Sequence, residues 1–535
     1  MTDIPKFRCP LRAGALALGM AIAAATVPSV SDAQTRGGTL TYARYVDANF
    51  LDPVFCDGNS DIWILSNLFD TLILPSENGS GFQPGLASDW SISDDGMTVS
   101  LTMRDGTKFS DGSAITAEDA KWSLDRARSP ENGIYNSILS SIDTLTIPAE
   151  GKLEISLKHP DPAILAALTA FNAAVLPSKL YEAAPGETVI EKARVMGANP
   201  VGSGPFMFDS WSRGASMKLV RNPHYWREGT DGKPLPYLDT LEFEIIPDDA
   251  TRILKVQSGE IDGAEFIPFS RVNELKADPE LNMTIFPGTK VVFANMNVRP
   301  EFKDGSPNPL SDVKVRQALN YATDKDAVIG IVTHGIGTPM SSYMSSATPM
   351  HSGEGSVFPF DIDKAKALMT ESGWPDGFET TILVLPGSVD EIGIATALQQ
   401  FWAPLGVKLS IEQVDNATRQ ALWHAGDYPI RAMQWTDDIS DGSQITGFKV
   451  YSPNIEAQRS GWHNASIDLL YEESQKETDP EKRIALYAEI QAEYNQTGPE
   501  IQLFEAGYPV LLQNDVVGFV QLPLGNNIFA KAYKE

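Results

Sequence analysis

Cysteine is almost absent, with Cys9 and Cys56 the two examples in 535 residues. Cys9 lies in the leader described below, so Cys56 would stand alone in the mature chain and no internal disulfide can form. A chain of this length buries enough apolar surface without staples, and Cys56 reads as a small buried hydrophobe. Histidine is nearly as scarce. His159, His224, His334, His351, His424 and His463 are scattered, with no pair at ligand spacing and no neighbouring cysteine, so neither a metal site nor a cofactor is expected. Basic residues are outnumbered 42 to 70, a formal charge of −28. Such an acidic surface disfavours nucleic acid and anionic lipid as partners and favours a soluble monomer.

Long hydrophobic runs are missing too, apart from one at the start. Lys6, Arg8 and Arg12 make a positive leader, Ala13 to Val27 is apolar and uncharged, and Pro28 breaks the run. Ser31-Asp32-Ala33 then offers small residues where a signal peptidase reads, so residues 1–33 are a secretory signal peptide cleaved after Ala33. The run falls short of the roughly 20 residues a membrane span needs, and Cys9 precedes it, which excludes a lipoprotein anchor. Cleavage leaves 39 basic and 68 acidic residues, a formal −29, in a chain destined for the periplasm and without stable membrane insertion.

Catalytic signatures are lacking as well. There is no G-x-x-x-x-G-K-[ST], no G-x-S-x-G and no H-E-x-x-H, so the chain is not expected to be an enzyme. Gly202-Ser203-Gly204-Pro205 is glycine-rich, but Pro205 removes an amide and no helix pattern follows, so it reads as a tight turn. Acid pairs such as Asp437-Asp438 and Glu472-Glu473 are also what an acidic surface produces by composition.

What is present alternates strands with helices. Gly38–Ala43 and Thr98–Met103 alternate in polarity as half-buried strands do. Thr116 caps a helix through Trp122, Leu124 and Ala127, with Glu118 and Asp119 at its positive end. Asp312 opens a helix over Val313–Leu319. Asp363 opens another that stops at Gly373. Ile392–Trp402 is helical, Pro404-Leu405-Gly406 turns it into a strand over Val407–Ile411, and Asp479-Pro480 starts a late helix. The predicted class is α/β, in several lobes.

Longer strings then carry more than periodicity does. Pro84-Gly85-Leu86-Ala87-Ser88-Asp89-Trp90 leads through Asp94-Asp95-Gly96 to Arg104-Asp105-Gly106-Thr107-Lys108-Phe109-Ser110-Asp111-Gly112. Gly202–Phe206, Arg221-Asn222-Pro223-His224-Tyr225-Trp226, Val315–Ala322 and Gly373-Trp374-Pro375-Asp376-Gly377-Phe378 follow in order. The chain resembles the family 5 extracellular solute-binding proteins, the dipeptide, oligopeptide and nickel-binding receptors of ABC importers. The resemblance implies a periplasmic-binding-protein-like fold, with two lobes joined by a hinge, a ligand cleft between them and an extra small domain on the first lobe. It places the first lobe at 37–70, 199–288 and 506–535, the extra domain at 71–198 and the second lobe at 289–505. It implies capture of a small organic solute, a peptide or amine-bearing compound, for delivery to the permease subunits of an importer.

The resemblance also points to site residues. Peptide-binding relatives hold a free amino group with an aspartate after a Trp-Thr pair, and Trp435-Thr436-Asp437-Asp438 stands at that place. Asp438 matches best and Asp437 second, with Trp435 as a wall; two adjacent aspartates could also cap a turn. Relatives of the dipeptide type carry an arginine just before the helix at Ile392, whereas this chain has Leu385-Pro386-Gly387-Ser388-Val389-Asp390-Glu391. Asp390 or Glu391 beside Asp438 would favour a cationic guest, although acids at a helix start are also explained by the macrodipole. A sugar or a chelated metal stays open as the guest.

Overall fold

The computed structural model describes residues 34–56, 58–76, 81–133, 135–353 and 358–535, with the side chains of 455–457 left aside. The expected signal peptide, residues 1–33, lies outside the described residues.

Three sheets organise the chain. A seven-stranded sheet runs in the order Leu281–Phe286, Tyr508–Gln513, Gly263–Ala264, Thr39–Arg44, Thr240–Ile245, Ser216–Arg221 and Phe206–Ser212. Thr39–Arg44 is parallel to both its neighbours, pairing Thr39 with Thr240 and Tyr42 with Gly263. Its core gathers Leu40, Tyr42, Trp63, Phe206, Phe243 and Phe529. A six-stranded sheet runs Thr338–Pro339, Glu500–Glu505, Val291–Met296, Ile430–Trp435, Glu379–Val384 and Lys408–Gln413. Its core is built on Val315, Leu319, Ile382, Leu398, Trp402 and Ile501. A smaller antiparallel sheet of Ala87–Ile92, Thr98–Met103, Lys152–Leu157 and Ile142–Thr146 packs on the helix Ala117–Ala127 around Val99, Leu101 and Leu124.

Local chemistry explains the elements that matter. Thr98–Met103 buries every second residue against that helix, as its alternation predicts. Thr116 and Asp119 form a reciprocal capping box at the helix start. Asp312 caps Val313–Tyr321 by accepting from the Lys314 amide, and Asp479 caps Pro480–Thr497. One start differs from expectation: Asp361, not Asp363, caps Ile362–Glu371, because its carboxylate accepts from Lys364 N, while Asp363 sits in the first turn. Another begins earlier than Ile392. Ser388 caps Val389–Trp402, and Gly406 turns the chain left-handed (φ 76°) before Lys408–Gln413. Cys56 is buried, at 1 % exposure.

Gly202-Ser203-Gly204-Pro205 is a bend whose glycines serve close packing rather than phosphate. Gly204 N donates to Leu68 O (2.9 Å), Ser203 Oγ accepts from Asp70 N (2.9 Å), and Asn222 Nδ2 donates to Gly204 O (2.8 Å). A Cβ on either glycine would run into the Leu68 backbone. Gly204→Ala is therefore expected to cost about 1–3 kcal/mol or more, read as a lowered midpoint in thermal unfolding.

The chain passes between the two large sheets at Phe286–Val291 and returns at Glu505–Tyr508. The crossings lie side by side, with Ala506 N donating to Lys290 O (3.3 Å) and Thr289 N to Pro523 O (3.0 Å). Gly288 admits the Tyr508 ring and Gly507 the Phe286 carbonyl, each where a Cβ would collide. Two thin strands of this kind make a hinge between two rigid sheets.

Candidate functional site

The strand Ile430–Trp435 ends at the hinge and continues as Thr436-Asp437-Asp438. A helix, Gly442–Lys449, follows, its start capped by Asp441, which Arg483 holds with two bonds of 2.7 and 2.8 Å. Thr436 Oγ1 and the hydroxyl of Tyr508, from the seven-stranded sheet, lie 2.7 Å apart, so the short acidic run is anchored across the junction.

The two aspartates have different surroundings. Asp437 is fully buried; its Oδ2 accepts from Thr348 Oγ1 (2.6 Å) and its amide donates to Thr289 Oγ1 (3.0 Å). Among the described residues its Oδ1 and the Trp435 indole nitrogen both lack a well-formed hydrogen bond, although the indole lies near enough to favour the ionised carboxylate. Burial pushes the Asp437 carboxyl up to about 7, against the pull of Thr348 and Lys449. Asp438 instead faces a cavity of about 100 Å³. The other walls come from Ile62, Leu65, Phe69 and Leu524 beside the seven-stranded sheet and from Phe171 near the small sheet. Asp438 keeps some accessible surface, yet protein walls it closely, and its Oδ2 accepts from Gln444 Nε2 (2.7 Å). Burial first, then the neighbouring Asp437 charge, pushes its carboxyl up to about 8.

Asp70 adds a second carboxyl to this cavity, raised to about 6 by burial and bonded to Trp226 Nε1 (2.7 Å). Trp435 packs against Phe448, ring centres 5.8 Å apart, and belongs to the cores of both large sheets.

Asp390 lies elsewhere. It faces Lys290 and Asp249, and Asp438 is not among the groups that set its charge. Burial raises Asp390 to about 7 and lowers Lys290 to about 8. Lys290, at 3 % exposure, places its Nζ 5.0–5.6 Å from the ring centres of Phe266, Phe269 and Tyr508. Phe266 holds a left-handed φ of 52°, fixed by Arg252 Nη2 donating to its carbonyl (2.9 Å), and stacks on Trp63 at 5.5 Å.

The stretch Leu385–Glu391 lacks an arginine, but the fold brings one to it. Arg419, on the helix Asn416–His424, donates to Glu391 Oε2 (2.7 Å), which also accepts from Leu385 N (2.7 Å). Glu391 is thereby committed to structure. Gln444, Thr348, Lys290 and Arg419 all escaped sequence reasoning. Gln444 alone lay within reach, six residues past Asp438 on the next helix.

Two α/β halves joined by a paired hinge, with a buried carboxyl facing a cavity at their junction, define a two-lobed solute-clamping receptor. The comparisons agree. The pattern of the bacterial extracellular solute-binding proteins, family 5 (middle), matches residues 81–456, and the chain belongs to that family, the solute-binding components of ABC importers. It is 27 % identical over 532 residues to a probable D,D-dipeptide-binding periplasmic protein of Escherichia coli, covering 98 % of each chain. It is 26 % identical over 508 residues to heme-binding protein A of Haemophilus influenzae, covering 90 % of this chain and 89 % of that one. The fold matches that of a periplasmic binding protein of Helicobacter pylori solved with the peptide STSA, with a TM-score of 0.83 and 23 % identity over 94 % of this chain and 99 % of that one. Among the described residues no helix is long and apolar enough to cross a membrane.

Proposed function

We propose that this receptor captures an amine-bearing or basic small solute, with Asp438 holding the ammonium, and releases it unaltered to an importer's permease. One observation carries the reading: Asp438 faces the cavity at the junction of the sheets with the Gln444 amide beside it, and among the described residues no cation pairs with it, since Arg227 on the same wall acts on Asp70. A carboxyl lifted to about 8 by burial has no positive partner among the described residues, and an ammonium arriving there would form a charge-assisted pair in a low dielectric. Asp437 shares its negative field, and Trp435 backs the wall. Asp390 contributes at a distance, through the buried Lys290 on the hinge crossing.

The proposed lobes are 37–70 with 199–288 and 506–535, then 289–505, with 71–198 as the extra domain. They follow the three sheets, and closure needs a guest that touches both large lobes. Removal of residues 1–33 after Ala33 would place the chain in the periplasm, the compartment in the Escherichia coli relative's name. Those relatives are named for binding, which supports a receptor that changes no bond of its guest.

The test is calorimetric titration with n-hexylamine and L-alanyl-L-alanine between pH 6 and 8. An ammonium needs the ionised carboxylate, so below about 8 binding expels a proton from Asp438. Affinity should then rise with pH, by up to about tenfold per unit. Tight binding of a neutral sugar without binding of amines, or affinity flat across this range, overturns the assignment.

A further inference from the structure

The small-sheet region is inserted in the chain between Thr39–Arg44 and Phe206–Ser212, two strands of the seven-stranded sheet. The six-stranded half reaches it only through space, across the gap between the halves. Two contacts of that kind flank Asp438. Ile439, the next residue, is buried with Ala166 and Ala170 of the small-sheet region, and Ile138 packs on the same cluster. Beyond it, Phe448 stacks on Tyr135, with ring centres 4.9 Å apart and planes at 30°. Tyr135 is also held from its own side: Phe171 meets it edge-on at 4.7 Å, and Asn172 Nδ2 donates to its carbonyl (3.0 Å).

These contacts bear on the geometry of Asp438. Gln444 and Phe448 stand one turn apart on Gly442–Lys449 and share a face of that helix. Gln444 grips Asp438 twice, its Oε1 accepting from Asp438 N (3.2 Å) and its Nε2 donating to Asp438 Oδ2 (2.7 Å). A helix of eight residues has little stability of its own, and every residue of this one is buried, so packing sets where it lies. Part of that packing comes from Tyr135, on the opposite side of the gap. Parting the halves would expose Ile439 and Phe448 to water, so their burial favours the closed arrangement. Among the described residues, neither of them nor Tyr135 belongs to the wall of the cavity that Asp438 faces.

We infer that Tyr135, Ile439 and Phe448 are positioning residues: through them the small-sheet region docks on the six-stranded half beside Asp438 and holds Asp438 and Gln444 in the geometry that receives the guest. The small-sheet region is thereby a third jaw of the clamp, acting on the residue that grips the guest while its own docking side chains stay off the guest. The inference rests on the Asp438 reading and adds what fixes that residue in place.

The test is titration of the full chain with n-hexylamine at pH 8, joined to stopped-flow measurement of association and dissociation. Tyr135→Ala removes the stack from one side of the gap, and Ile439→Ala, independently, loosens the second contact from the other. Each should weaken binding by about tenfold, since a lost aromatic or aliphatic contact is of that size. The loss should lie in faster dissociation, with association within about threefold of the parent, because the guest meets the open form before the contact is made. Tyr135→Phe keeps the ring and should bind within about twofold of the parent. Parent-like binding by either alanine variant, a loss carried by association, or a loss as large in Tyr135→Phe as in Tyr135→Ala overturns the docking role and leaves Asp438 standing. Asp438→Asn binding n-hexylamine as the parent does overturns the Asp438 reading instead. No binding of n-hexylamine by the parent overturns both.

Discussion

Asp438→Asn is expected to weaken binding of an amine-bearing solute by roughly thirtyfold to several thousandfold and, at the same time, to stabilise the empty protein above pH 7. The first effect follows from truncating one partner of a buried charge pair, a loss of about 2–5 kcal/mol. The second follows from the direction of the Asp438 shift. Its carboxyl is raised from 3.8 to about 8 by burial and by Asp437, so the folded state holds a proton that the unfolded chain gives up. The stability this proton confers is fully present below about pH 4 and lost as pH rises through about 8. Asparagine has the same shape and no charge to bury. The melting temperature of the variant should match the parent's below about pH 4 and exceed it at pH 8, as scanning calorimetry of the two proteins would show. A residue kept at a cost to the empty fold is one retained for its guest. An Asp438→Asn variant that binds amines normally and melts lower at pH 8 would mean that Asp438 merely caps its turn.

The second large effect concerns the fold. Asp52 is fully buried and accepts from Arg126 Nη1 (3.1 Å) and Nη2 (2.8 Å), the Tyr181 hydroxyl (2.9 Å) and Val54 N (2.9 Å). Arg126 also lies over the Tyr181 ring at 4.8 Å, so one guanidinium ties the loop after the first strand to two helices of the small-sheet region. Arg126→Ala strands a buried carboxylate and should cost about 3–5 kcal/mol, seen as an earlier transition in urea. Lys121→Ala is the control on the same helix. Its pair with Asp125 is 2.6 Å long but 40 % and 32 % exposed, and its loss should cost under about 1 kcal/mol.

Sequence patterns reveal the elements more readily than their company. Thr116 and Asp119, or the alternation in Thr98–Met103, depend on neighbours a few residues away, and the structure has both. Asp361 displaced Asp363 as a cap because both stand at the start of the same helix, and it is the Asp361 carboxylate that accepts from Lys364 N while Asp363 lies in the first turn. The family strings carried the two-lobed architecture, which no local rule predicts. In the candidate site, the acidic run after Trp435 was visible as a string. What distinguishes Asp438 from Asp437 is tertiary: Thr348, 89 residues away, occupies Asp437, while Gln444 leaves Asp438 facing a cavity. Arg419 reaches Glu391 across 28 residues, so an arginine absent from one segment arrives from another. Lys290 gave no sequence signal at all, since its aromatic surroundings come from Phe266, Phe269 and Tyr508 on the other side of the hinge.

Small-angle X-ray scattering, recorded on protein stripped of any guest and again with saturating n-hexylamine, tests the clamp most directly. A guest held by Asp438 from one half and by walls from the other should draw the halves together and reduce the radius of gyration. Profiles that superimpose while calorimetry records saturation by the same probe would contradict it.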